Sequence, residues 1–257
     1  MNRNQNPAAR LENGTIHVKP VTNPADFDRF FEICALAFGH QVHDGVWCAM
    51  NPGWVTPQGC MEASARLAAR MSAITKDRNG NPNTIFLKAV LKQDSEVEDQ
   101  MVGVAIWNQA SMVSGYGETP AADIESSVDL ESLYPGNPRE QRYLQQVDRS
   151  LRRRRLEVIE EIATSSSPAV MVLELCVVDP SFQRLGIASR LVEWGLREAK
   201  KRGSLEAVLE GSTMGRHVYK KLGFHQEGEE FQYEVDEEFW DRDQPSNIFM
   251  RTGRPTV

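Results

Sequence analysis

The stretch from residue 169 to residue 201 limits the fold more than any other part of the chain. Residues 169–178 (Ala-Val-Met-Val-Leu-Glu-Leu-Cys-Val-Val) form an apolar, β-branched-rich run containing one carboxylate, and Asp179-Pro180 stops it, because proline has no N–H for a ladder. Gln183-Arg184-Leu185-Gly186-Ile187-Ala188 comes next, and residues 189–201 carry helical periodicity. Strand, tight loop and helix start, in that order, gather several backbone N–H groups and the positive end of a helix dipole at one spot. Such a junction suits a phosphate or pyrophosphate.

Around this junction the chain reads as one domain with an insertion. It has 257 residues, 40% of them apolar, enough for an ordinary core. Residues 1–13 read as a disordered leader and 14–257 as the domain. Residues 15–21 alternate like a first strand. Asn23 suits an N-cap and Pro24 the first helical position, and Phe27, Phe30, Phe31, Cys34, Leu36 and Phe38 place an apolar stripe on a helix that Gly39 should end. Residues 40–56 are irregular and rich in Gly, Pro and Trp, and a second helix is expected over 59–75. Residues 84–91 and 100–109 read as an antiparallel hairpin with a long polar loop, 92–99.

Residues 111–138 lack periodicity and read as an insertion or lid, followed by a polar helix over 139–162; together they occupy 111–168. Downstream the pattern predicts a helix at 186–202, a strand at 205–209, a helix at 213–222 with Gly223 as its C-cap, and strands around 229–235 and 247–250. The expected fold class is α+β: a central mixed, mostly antiparallel sheet flanked by helices, with the insertion between the third and fourth strands.

Composition narrows the functions. A net charge of −7 argues against non-specific nucleic-acid binding and favours a cationic small substrate. Arg152-Arg153-Arg154-Arg155 sits mid-helix beside Glu157, Glu160 and Glu161 and reads as a solvated face. Cys34, Cys48, Cys60 and Cys176 have no metal or disulfide spacing. No apolar run approaches the roughly 20 residues that cross a bilayer, so no membrane association and a cytoplasmic location are expected.

Residues 173–191 (Leu-Glu-Leu-Cys-Val-Val-Asp-Pro-Ser-Phe-Gln-Arg-Leu-Gly-Ile-Ala-Ser-Arg-Leu), followed by 216–224 (Arg-His-Val-Tyr-Lys-Lys-Leu-Gly-Phe), resemble the GNAT superfamily of acyl-CoA-dependent N-acyltransferases. The close resemblance spans residues 170–224. It implies a single GNAT-like domain that uses acetyl-CoA as co-substrate, without a metal. The amides of Gln183, Arg184, Leu185, Gly186, Ile187, Ala188 and Ser189 would hold the pyrophosphate, with the Gln183 and Arg184 side chains as further donors. Cys176, Val177 and Val178 would align the pantetheine arm, and the Val177 N–H would polarise the thioester carbonyl.

By the same resemblance Glu174, partly buried with a raised pKa, would be the general base, and Tyr219 would protonate the leaving thiolate. The family's usual asparagine is missing near residue 212, where the Ser212 hydroxyl stands instead, and Arg216 would face the 3′-phosphate or adenine end. Asp44, Trp47 and Tyr233 are the candidate acceptor residues, since aromatic faces and a carboxylate suit an amine cation. The expected reaction is N-acetylation of a small-molecule amine by direct attack in a ternary complex, by a monomer or homodimer. A protein N-terminus or lysine as acceptor, a non-catalytic acyl-CoA-binding module and a nucleotide-binding protein are the alternatives.

Overall fold

The computed structural model describes residues 14–93 and 99–253; the expected leader, 1–13, lies outside them, as does 94–98 of the hairpin loop. Seven strands form one sheet: β1 (Gly14–Pro20), β2 (Thr84–Gln93), β3 (Gln100–Ala110), β4 (Val170–Val178), β5 (Glu206–Ser212), β6 (His225–Glu230) and β7 (Asn247–Arg251), in the order β1-β2-β3-β4-β5-β7-β6. Among these strands only β4 and β5 run parallel. The helices are α1 (Asp26–Cys34), α2 (Gly45–Met50), α3 (Pro57–Ser72), α4 (Leu130–Leu133), α5 (Pro138–Ile162), α6 (Ile187–Lys201) and α7 (Arg216–Lys221). The predicted α+β class and the position of the insertion both hold.

The two faces of the sheet carry different layers. On one face, Phe27 and Phe30 of α1 pack on Phe86, Val104, Ile106 and Val177, with the Phe27 ring edge-on to Phe86 at 5.1 Å. The insertion helix α5 continues this layer, laying Val158, Ile159 and Ile162 over Val170, Val172, Val208 and Phe249. The other face packs against α6 through Trp107, Met171, Leu173, Leu209, Ile187 and Leu191. Gly195 lets α6 approach: a Cβ there would stand 2.0 Å from the Trp107 ring, and Trp107 is fully buried. Gly195→Ala should therefore lower stability by about 1–3 kcal/mol through overpacking, read as a lower urea midpoint at unchanged m-value.

Two irregularities shape the centre of the sheet. The β3–β4 register steps from Ile106↔Leu175 to Trp107↔Leu173, so Glu174 is the extra residue of a β-bulge. The pairing of β4 with β5 ends at Leu173↔Leu209, although β4 runs on to Val178 and β5 to Ser212. The strands splay there and leave a slit with unpaired backbone on both sides.

Three boundaries differ from the sequence reading. Asn23 Oδ1 accepts from Ala25 N at 3.1 Å, but regular helix begins only at Asp26, and after Cys34 it widens into a π-helical stretch, Ala35–Val42, that passes through Gly39. Gly39 is there for close packing, because a Cβ would meet the Trp54 ring at 2.4 Å; His43, at φ 57°, makes the stop. The strand expected over 229–235 ends at Glu230. Beyond it the chain crosses to α5, where Glu234 N donates to Ser150 Oγ (3.0 Å) and Asp236 N to Gln146 Oε1 (2.9 Å), and Arg153, Arg142 and Arg139 pair with Glu234, Asp236 and Glu238. Side chains of the insertion thus satisfy backbone that a sheet neighbour would otherwise have bonded.

Candidate active site

The loop from Gln183 to Gly186 has two residues with left-handed backbone, Arg184 (φ 63°) and Gly186 (φ 75°). Gly186 is the N-cap of α6, which has no side-chain cap and no acidic residue in its first turn, so the first amides of the helix are free to meet an anion. Conformation is what demands glycine here, since a Cβ at Gly186 would meet no protein atom within 4 Å. Arg184 is exposed. The Gln183 side chain is not a free donor: its Nε2 donates to Gln41 Oε1 (2.8 Å) and to Val178 O (3.2 Å), and its Oε1 accepts from Gln41 Nε2 (3.0 Å). Gln183 therefore ties the loop to the π-helical segment.

Ladder geometry corrects the expectation for Val177. Asp179 N donates to Val102 O at 3.0 Å, and antiparallel pairs alternate between bonded and non-bonded. In the register Val104↔Val177, the Val177 N–H thus points into the β3 ladder. The amides of Cys176 and Val178 face the slit instead. The Cys176 thiol is pushed up to about 12 by burial, which leaves it inert as a nucleophile.

Tyr219, on α7, is buried and stacks edge-on with Phe224 at 6.0 Å. Burial first, and the nearby Cys176 second, hold its phenol well above the ordinary value of 10. The phenol is therefore held neutral, packed on the α6 side of the sheet. Ser212 is half-buried at the end of β5. Arg216 does not reach outward as expected: its guanidinium donates to Gly211 O (3.1 Å) and Ser246 Oγ (2.6 Å) and lies 3.8 Å from Glu230. It braces the β5–α7 turn against the chain before β7.

Glu174 sits on the opposite face, where the bulge turns it towards α3. Arg70 Nη2 lies 2.6 Å from its Oε2, and Asn108 Nδ2 donates to its Oε1 at 3.2 Å. Burial would raise its pKa, but the charges of Arg70 and Arg155 and the hydrogen bonds from Arg70 and Asn108 outweigh burial. The carboxyl is held below the usual range, reversing the raised value that a buried general base was expected to have. Asn108 also donates to Glu118 Oε2 at 3.1 Å, and Arg155 grips Glu210 of β5 through two hydrogen bonds.

Arg70, Asn108, Arg155 and Glu210 escaped the sequence reading. Asn108 had a signal, as one of two adjacent amides, Asn108 and Gln109, that follow the apolar run 101–107. Arg155 had none, lying within a run of four arginines expected to be a solvated face; among them only Arg153 is exposed, and Arg154 pairs with Glu157, Glu161 and Glu227. Arg155 is turned inward, its side chain only 13% exposed.

The structure brings the three candidate acceptor residues to this same face. Asp44 caps α2, its Oδ1 accepting from Trp47 N at 2.8 Å. It is 9% exposed and pairs with no cation among the described residues; burial raises its pKa, backbone N–H groups of Trp47 and Val46 oppose the rise, and Asp243 adds to it. Trp47 stacks between Phe31 (5.7 Å) and Phe38 (5.8 Å) and meets Trp54 edge-on. Tyr233 accepts from Asn247 Nδ2 at 3.0 Å, and burial, with the Asp44 charge contributing, pushes its phenol up to about 12. α5 closes this side, packing Tyr143, Leu144 and Val147 on Val46, Ala49 and Phe239.

Among the described residues no group of His, Cys, Asp and Glu is arranged to hold a metal ion, and no helix is long and apolar enough to cross a membrane. Residues 158–235 match the family model described as an acetyltransferase (GNAT) domain. A mosquito arylalkylamine N-acetyltransferase like 5b aligns with a TM-score of 0.58 at 14% identity, covering 92% of this chain and 99% of that one. Arylalkylamine N-acetyltransferase 2 from Aedes aegypti aligns at 0.58 and 17%, covering 92% and 98%. The histone acetyltransferase HPA2 and related acetyltransferase from Corynebacterium glutamicum aligns at 0.50 and 19%, covering 95% and 98%. At such identities the likeness is one of fold. No curated relative matches the sequence.

Proposed function

We propose that this chain, whose residues 158–235 match an acetyltransferase (GNAT) domain model, transfers an acetyl group from acetyl-CoA to a small-molecule amine by direct attack in a ternary complex. The observation that carries the acceptor class is Asp44, a buried carboxylate with no cationic partner among the described residues, set beside the Phe31–Trp47–Phe38 stack. An ammonium group would supply the missing charge, and aromatic faces favour the cation it carries. α5 and the segment after β6 close over this side, which favours a small acceptor over a protein surface.

The residues present fit acetyl-CoA. The uncapped α6 N-terminus and the left-handed loop before it offer amides for the pyrophosphate, and the slit beyond Leu173↔Leu209 offers free backbone for the pantetheine arm. Bound there, the co-substrate supplies an activated acetyl thioester. Cys176 N–H, facing the slit, would stabilise the negative charge that develops on the carbonyl oxygen. Glu174 takes a proton from the ammonium, directly or through water, so that the amine lone pair can attack. As the new C–N bond forms and the C–S bond breaks, the sulfur keeps the bonding pair and Tyr219 gives it a proton, while the acylated nitrogen loses its second proton to water and Tyr219 is reprotonated from solvent. Base and acid stand on opposite faces of the sheet, one on each side of the slit between them.

The test is acetyl-CoA-dependent release of free thiol across arylalkylamines, aliphatic amines and a lysine peptide. Release is expected with at least one small amine and to fall in Asp44→Asn through a higher amine KM, about tenfold or more for a lost charged contact. Activity confined to the peptide would overturn the acceptor class, and no release above hydrolysis with any acceptor would overturn the reaction.

A further inference from the structure

We propose that Arg70 is a positioning residue of the transfer reaction, aiming the Glu174 carboxylate from the β4 bulge towards the acceptor side of the slit. The inference rests on the reading of Glu174 as proton acceptor and adds a residue outside both signature segments. Arg70 lies in the last turn of α3, more than a hundred residues before its partner. Its guanidinium reaches over the Phe86 ring, 5.8 Å from the centroid, to within 2.6 Å of Glu174 Oε2.

A bulge residue has no fixed ladder partner, so its side chain needs another anchor. Here each oxygen has one: Arg70 on Oε2 and Asn108 on Oε1, at 3.2 Å. The Asn108 amide cannot usefully rotate, because its Nδ2 serves both Glu174 and Glu118. Its Oδ1, buried and without a partner among the described residues, then faces away from both carboxylates. The other charged groups around this pair are already engaged: Arg155 on α5 with Glu210, and Glu118 with Asn108 and Thr84. Among the described residues only Arg70 is paired directly with Glu174; Arg155 adds its charge without a direct contact, so losing Arg70 removes the larger of the two opposing charges.

Without Arg70, burial acts on Glu174 with less opposition, and protonation moves into the working range. The experiment follows kcat/KM for the best amine from pH 5 to 9 at saturating acetyl-CoA in the native protein, R70M and R70K. In the native protein Glu174 stays ionised throughout, so this group imposes no acid limb. R70M should gain an acid limb, shifted up by about one pH unit or more, with KM for acetyl-CoA unchanged, and R70K should restore most of the native profile. An R70M profile superimposable on the native one overturns the proposal, and so does R70K shifting as far as R70M. Should R70M fail to fold, R70Q keeps a donor without the charge and carries the same expectation and the same refutation. A native protein that acetylates no amine takes the whole functional reading down, whereas an active native enzyme with an unmoved limb removes only the role of Arg70.

Discussion

Tyr219→Phe is expected to lower kcat by about 100-fold or more while leaving the affinity for coenzyme A, measured by calorimetry, unchanged. The hydroxyl has no hydrogen-bond partner among the described residues, so its removal breaks no internal contact. The ring, which supplies the packing against Phe224, remains. Stability should accordingly stay within about 0.5 kcal/mol of native. Because burial keeps the phenol protonated well past its ordinary range, the native rate should show no alkaline limb from this group below its ordinary value of 10. Undiminished turnover in the Phe variant would remove the acid role and leave the thiolate to depart unaided.

What could be read from the sequence was the part fixed by local rules. The run before Asp179-Pro180, the loop with Gly186, and the helix after it are one contiguous segment, and each boundary came within a few residues. Helix α5, expected over 139–162, runs over Pro138–Ile162, with Asn137 Oδ1 accepting from Glu140 N at its start. The misses involve partners distant in sequence. Gly39 looks like a helix terminator until Trp54 is packed on it. The segment after Glu230 looks like a strand until α5 supplies hydrogen bonds from Ser150 and Gln146.

The same division holds at the site. Glu174 stood out as the lone carboxylate of an apolar run, but its ionisation state depends on Arg70, 104 positions earlier, which no local pattern reveals. Arg216, the first residue of a recognised motif, was expected to face the ligand, yet Ser246 and Glu230 draw it inward. Sequence proximity to a motif says little about where a long cationic side chain goes. Its head group follows the nearest unpaired acceptor.

Glu174→Gln separates a proton acceptor from a mere ion-pair partner by its dependence on pH. As a base, Glu174 matters only while the amine arrives protonated, so kcat/KM in the Gln variant should fall about 100-fold near neutrality. That deficit should shrink as the pH approaches the amine's own pKa. A structural role predicts a deficit independent of pH. Stability runs the other way: the fold holds the carboxyl below its ordinary 4.5, so the ion pair's contribution is complete above that value and is lost as the pH falls through the native pKa. The Arg70 side chain is 40% exposed, and solvent screening limits this contribution to about 1 kcal/mol. The variant should therefore melt slightly earlier than the native protein near neutral pH and alongside it once the pH has fallen below the native pKa. A rate deficit that persists undiminished at alkaline pH would assign Glu174 to holding Arg70 and the bulge, and would send the search for the base to Asp44.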